Sequence, residues 1–203
     1  MINQYVKNEK MFENEVLKQV RELNERMQLT DVMTLVNSYK TYFVTTTYHD
    51  VFAHKEIDQK LHLAKRLQDG FFMHMMGKTL PKYQKPNQRF KQPVSIDFHD
   101  FPETKKGYAN LHKSPHTHSI FLIHPETLGR FEAFRDRNFD LDYPSSKTEH
   151  IQSVDCQLLE INDDLSKVIS YSSKFLRQPG ALAYQSELHS LVYSVRGGEL
   201  TNR

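Results

Sequence analysis

"SPHTHSIFLIHP" (Ser114–Pro125) is the stretch on which the reading of this chain turns. Two histidines one residue apart, His116 and His118, open an apolar run that closes at His124 and Pro125. The run is β-branched and aromatic, and far too short to cross a bilayer, so it reads as a buried strand. Side chains alternate along a strand, which puts both imidazoles on one face of a rigid backbone. Neutral imidazole is a good ligand for divalent ions, and a carboxylate or a third imidazole usually completes such a site.

The neighbouring segments supply the rest of a sheet. Upstream, "PVSIDFHD" (Pro93–Asp100) alternates like a second strand. If it pairs beside "HTHSIF", then Ser95, Asp97 and His99 share one face, and Asp97 is the expected third ligand. His99, Glu103 and His112 are alternatives, as are Asp155, Gln157 and Glu160 on a later strand. "KTYFVTTTYH" (Lys40–His49) and "IQSVDCQLLEI" (Ile151–Ile161) also read as strands. Helical spacing recurs over 9–29 through Phe12, Val16, Val20 and Leu23, and over 55–76 through Ile57, Leu61, Ala64, Leu67, Phe71 and Met75. "HPETLGRFEAFRDR" (His124–Arg137) predicts a helix opened by Pro125, with Leu128, Phe131 and Phe134 inward. "NDDLSKVISYSSKFLR" (Asn162–Arg177) predicts another, capped by Asn162 or Asp163. The tail from Ala181 predicts a weak helix that frays. The class expected is α+β, a central and mainly antiparallel sheet flanked by helices. An N-terminal helical segment (1–38), a core (39–180) and a C-terminal helix and tail (181–203) make one domain.

Composition narrows the setting. With 38% hydrophobic and 26% charged residues in 203, the chain can bury a core and is not a disordered type. Its single cysteine, Cys156, excludes an internal disulfide and fits a reducing cytoplasm; no signal peptide or membrane span is expected. The net charge of +2 leaves any polyanion surface to local clusters. Gly77–Pro93 is one: Lys78, Lys82, Lys85, Arg89 and Lys91 with no acid, interleaved with Tyr83 and Phe90. Cations alternating with aromatic rings suit phosphate contact and base stacking, which makes Lys82, Lys85, Arg89 and Lys91 the expected DNA-binding residues.

Tyr171 and Lys174 in "YSSK" are three apart and share a helical face. A phenol beside a cation can serve as a covalent nucleophile whose developing phosphate charge is stabilised. In order and spacing, "YFVTTTY" (Tyr42–Tyr48), "PHTHSIFLI" (Pro115–Ile123) and "QLLEINDDLSKVISYSSKFL" (Gln157–Leu176) resemble the three motifs of the HUH endonucleases, in particular the rolling-circle replication initiators. The likeness spans roughly residues 40 to 176 and departs at Thr117, where the family has a bulky apolar residue.

The resemblance implies an α+β nuclease core with a sheet like that of RNA-recognition motifs. It implies that His116 and His118, with Asp97, hold Mg²⁺ or Mn²⁺. Tyr171 would attack the scissile phosphate, leaving a 5′-phosphotyrosine and a free 3′-hydroxyl, and Lys174 would assist electrostatically. Lys167 and Phe175 stand one helical turn from Tyr171, so the likeness is to the single-tyrosine type, with Tyr184 a remote second candidate. No Gly-x-x-x-x-Gly-Lys loop is present, so a host helicase and polymerase would be partners, acting with single-stranded origin DNA and no membrane. A single-tyrosine transposase is the alternative enzyme. A non-catalytic single-stranded nucleic-acid-binding protein is the alternative from another class.

Overall fold

Among the described residues, the computed structural model of this chain holds a sheet of five antiparallel strands. It describes residues 39–49, 52, 54–85, 88, 91–104, 106, 109–139, 150–159, 168, 171 and 192–193. In chain order the elements are β1 (Lys40–Tyr48), α1 (Ile57–Thr79), β2 (Val94–Asp100), β3 (His116–Ile123), α2 (Leu128–Asn138), β4 (Ile151–Leu159) and β5 (Val192–Tyr193). The strand order is β4-β1-β3-β2-β5, and every pairing is antiparallel. The fold is α+β, as the sequence leads one to expect. The helix expected over 9–29 lies outside the described residues.

One face of the sheet carries the main core. Tyr42, Val44 and Tyr48 of β1, Phe121 and Ile123 of β3, and Ile151 and Val154 of β4 pack there against Phe71, Phe72, Met75 and Met76 of α1 and Phe131 and Phe134 of α2. Helix α1 runs alongside β3 in the same direction. The Tyr48 hydroxyl donates to Ala64 O at 3.3 Å, Gln68 Nε2 donates to Ser119 Oγ at 2.9 Å, and the Phe72 ring meets Phe121 at 5.6 Å. The match is metric: four helical residues rise about 6 Å and two strand residues about 6.7 Å. Each turn of α1 therefore meets one inward residue of β3. Met75 and Met76 prolong the stripe, and the helix continues to Thr79, three residues past the expected end.

A β-bulge explains a parity problem in β4. Ile151 and Val154 are both buried, although residues three apart on a regular strand face opposite ways. Thr47 pairs with Ser153 and Tyr48 with Ile151, so Gln152 is the extra residue that resets the alternation. Two further expectations are refined. His124 starts a short 3-10 turn (Pro125–Thr127) ahead of α2, its Nδ1 accepting from Glu126 N at 3.2 Å. The C-terminal helix expected from Ala181 is corrected at Val192–Tyr193, which pair with Ser95 and Ile96 as β5. A β-branched and an aromatic residue suit the outer edge of β2 better than a helix. Among the described residues, no helix is long and apolar enough to cross a membrane.

Asp97 lies on the helix-covered face, fully buried, accepting a hydrogen bond from Ser95 Oγ. Burial raises its carboxyl to about 7, and the charge of Asp69 adds to that push, while hydrogen bonds from Ser119, Ser95 and Gln68 oppose it. The native state thus holds this proton where the unfolded chain, with a carboxyl pKa of about 4, releases it. Its contribution to stability is complete at acid pH and is lost as pH rises toward 7. Asp97→Asn is expected to remove that loss: melting temperatures should show the wild type falling by several degrees relative to the variant between about pH 4 and pH 7. Parallel curves would contradict it.

Candidate metal centre

The opposite face of the sheet carries the histidine pair. In an antiparallel pair, residues directly opposite point the same way. Asp100 of β2 stands opposite His116 of β3, and Thr45 of β1 stands opposite His118. The two Nε2 atoms of His116 and His118 are 3.0 Å apart, and Asp100 Oδ2 is 3.8 Å from His116 Nε2. One donor atom from each of Asp100, His116 and His118 lies within 4.8 Å of the others, and this cluster can hold a metal ion. Two ligands each about 2.1 Å from one ion, at a right angle, lie about 3.0 Å apart, which is the spacing of the imidazoles. Two neutral nitrogens and one carboxylate leave coordination positions open, as catalytic rather than structural sites do.

The surroundings orient these donors. Phe101 N donates to Asp100 Oδ1 at 2.7 Å, which turns the other carboxylate oxygen toward His116. The Thr45 hydroxyl is 3.2 Å from His118 Nδ1, and by accepting from it would leave the Nε2 lone pair facing His116. The Phe43 ring stacks on His118 at 5.3 Å and 19°. Behind the sheet, Thr117 Oγ1 shares hydrogen bonds with the Tyr48 hydroxyl at 2.6 Å and with His99 Nδ1 at 2.9 Å. Burial drives the His99 imidazole down to about 3, with the charges of Lys65 and His116 adding to the effect, so it stays neutral. The strand that carries the histidine pair is thereby pinned from its rear face.

Tyr171 lies on the metal-centre side. Its ring is 5.3 Å from that of His118 and 6.3 Å from that of Phe43, and the residue is 54% exposed. Val168, three residues earlier, is also helical and is half-buried. Lys174 lies outside the described residues.

The expected third ligand needs correction. Asp97 pairs with Ser119, whose side chain points away from the histidine face, so its carboxylate is on the wrong side of the sheet. His99 pairs with Thr117 and shares that fate. Sequence reasoning missed Asp100, because the signal that finds it is the pairing register. On β2 it shares parity with Val94 and Phe98, and the register places that row beside His116 and His118. Thr45 and Phe43 were likewise hidden among residues that β-propensity alone accounts for.

The basic segment is not brought to the centre. Helix α1 carries the chain about 33 Å from Ile57 to Thr79, away from the His116 end of β3. Lys82 and Lys85 are exposed beyond that far end, Lys82 with a φ of 65°. Lys91 is ion-paired with Glu126, and Arg89 lies outside the described residues. Comparison with known proteins finds no matching family model, no matching curated protein and no matching solved structure.

Titration with Mn²⁺, followed by calorimetry or by the loss of the free-ion paramagnetic signal, checks the ligand set. Asp100→Asn, His116→Ala and His118→Ala are each expected to weaken binding by at least about tenfold. Asp97→Asn is expected to bind as the wild type does. Acidification should weaken binding in the wild type, because imidazole coordinates only as the neutral base.

Proposed function

We propose that this chain is a metal-dependent endonuclease and ligase for single-stranded DNA, working through Tyr171. The observation that carries the reading is the position of the Tyr171 ring over His118, beside a cluster able to hold a divalent ion. A divalent ion there, Mg²⁺ or Mn²⁺, would supply Lewis acidity toward an oxygen of the scissile phosphate. Asp100, His116 and His118 would hold it, with Thr45 and Phe101 N fixing how two of those side chains point.

Tyr171 is the nucleophile. Its phenolic oxygen forms a bond to phosphorus as the bond from phosphorus to the 3′-oxygen breaks; the phenol loses its proton and the departing 3′-oxygen gains one. The product is a 5′-phosphotyrosine and a free 3′-hydroxyl, and the reverse reaction rejoins strands without ATP because the phosphodiester energy is kept. A half-exposed tyrosine suits a macromolecular substrate that must arrive and leave. Lys174, three positions on in the sequence, is the cation assigned to stabilise charge on the transferred phosphoryl group.

The biological reading is that the enzyme nicks an origin to start rolling-circle replication of a plasmid, phage or other mobile element, in the cytoplasm and with a borrowed helicase and polymerase. It rests on the order of the three sequence motifs together with the face shared by the histidines and Tyr171. The cut is tested with 5′- and 3′-labelled single-stranded DNA carrying the element's own origin, incubated with Mn²⁺. The wild type is expected to form a protein–DNA adduct that survives SDS, and Tyr171→Phe to form none. Cleavage that persists undiminished in Tyr171→Phe would make the centre a hydrolase that activates water instead.

A further inference from the structure

Where β1 ends and β3 begins, the sheet rim opens into a groove of about 460 Å³ that His116 helps to line. Its walls are the end of β1 (Thr47 to His49), Pro102, Lys113 to Pro115, and Gln152 of β4. The volume lies in the lower half of the range of small-ligand sites. Among the described residues that line it, none is acidic.

Three features make this a built site rather than a surface dent. The β-bulge leaves Gln152 as the extra residue of β4, and its side chain is exposed and lines the groove instead of extending the ladder. Lys60 of α1 is 2% exposed, and its ammonium donates to Leu111 O at 2.8 Å and Lys113 O at 3.4 Å. Burying a lysine is costly unless its charge is well satisfied, and here the ammonium is spent on the backbone of the groove wall. Phe101, packed with Leu61, Ile57, Ala109 and Leu111, anchors the same wall. The wall is thus held still while Lys113 itself stays exposed.

We propose that this groove seats one nucleotide of a single DNA strand, next to the phosphate presented at the Asp100–His116–His118 centre, with Lys113 holding its phosphate and Gln152 reading its base. The inference rests on the function proposed above. An ammonium offers three donors and no acceptor, which suits a phosphate. A carboxamide offers both donor and acceptor, which suits the edge of an unpaired base. Lys113 therefore contributes affinity and Gln152 contributes preference. Lys60 is a positioning residue for Lys113.

The test uses the full chain and a fluorescent 20-nucleotide single-stranded DNA with randomised sequence, in Mn²⁺. Bound molecules are sequenced, and affinity is followed by anisotropy across salt concentrations. Wild type is expected to enrich one base at one position. Gln152→Ala should lose that enrichment while binding nearly as tightly. Lys113→Ala should bind about threefold to tenfold more weakly, with the salt dependence shallower by about 0.7, and Lys113→Arg should restore both. Lys60→Met should lower affinity in the same direction as Lys113→Ala, with the base enrichment kept. If the wild type binds the pool, and Gln152→Ala and Lys113→Ala match it in selection and slope, the groove assignment is overturned and the nicking function stands. If the wild type does not bind the pool at all, both fall.

Discussion

The antiparallel register of β2 against β3 is the constraint on which the site depends. Asp100 stands opposite His116, and β1 sets Thr45 opposite His118. Side chains alternate, so a slip of one residue would turn Asp100 in the one pairing, or Thr45 in the other, to the wrong face. The register is enforced from behind, where Ser119 and Phe121 must meet α1 and cannot be exchanged for the histidine row. Packing energy on one face thus secures the geometry of the Asp100–His116–His118 cluster on the other.

Thr117 shows how the two faces are joined. Its place between the histidines must look toward the helices, and it does so as a hydroxyl bonded to Tyr48 and His99. A bulky apolar residue would fill this position by contact alone. Thr117 fills it with directional bonds, which fix the strand's height and tilt as well as its position. The polar layer continues along β3 through Ser119, Gln68 and Asp97, so the half of the sheet under the metal centre is held by hydrogen bonds. The half toward Phe121 and Ile123 is held by aromatic and aliphatic packing.

Legibility follows the range of each interaction. The strands at 40, 94, 116 and 151, and the helices at 57 and 128, could be read from periodicity because alternation and helical spacing are local. The histidine pair was legible for the same reason: two residues on one strand share a face whatever the strand pairs with. Asp97 against Asp100 was not legible, because choosing between them needs the pairing register between two strands. The edge strand Val192–Tyr193 was missed because its pairing with β2 joins positions about a hundred residues apart, and local propensity over a dipeptide says little. Gln152 was invisible as a bulge, since only the partner strand makes a residue extra.

The sequence by itself determined the α+β class, the shared face of His116 and His118, the helical stripe of α1 and the candidate nucleophile. Each of these depends on neighbours within a few positions along the chain. Tertiary structure decided which carboxylate joins the imidazoles, that Tyr171 lies over the same face, and that Lys82 and Lys85 stand far from it. Those outcomes are set by strand register and by the direction of α1 along β3, which arise only when distant segments compete for the same buried surface.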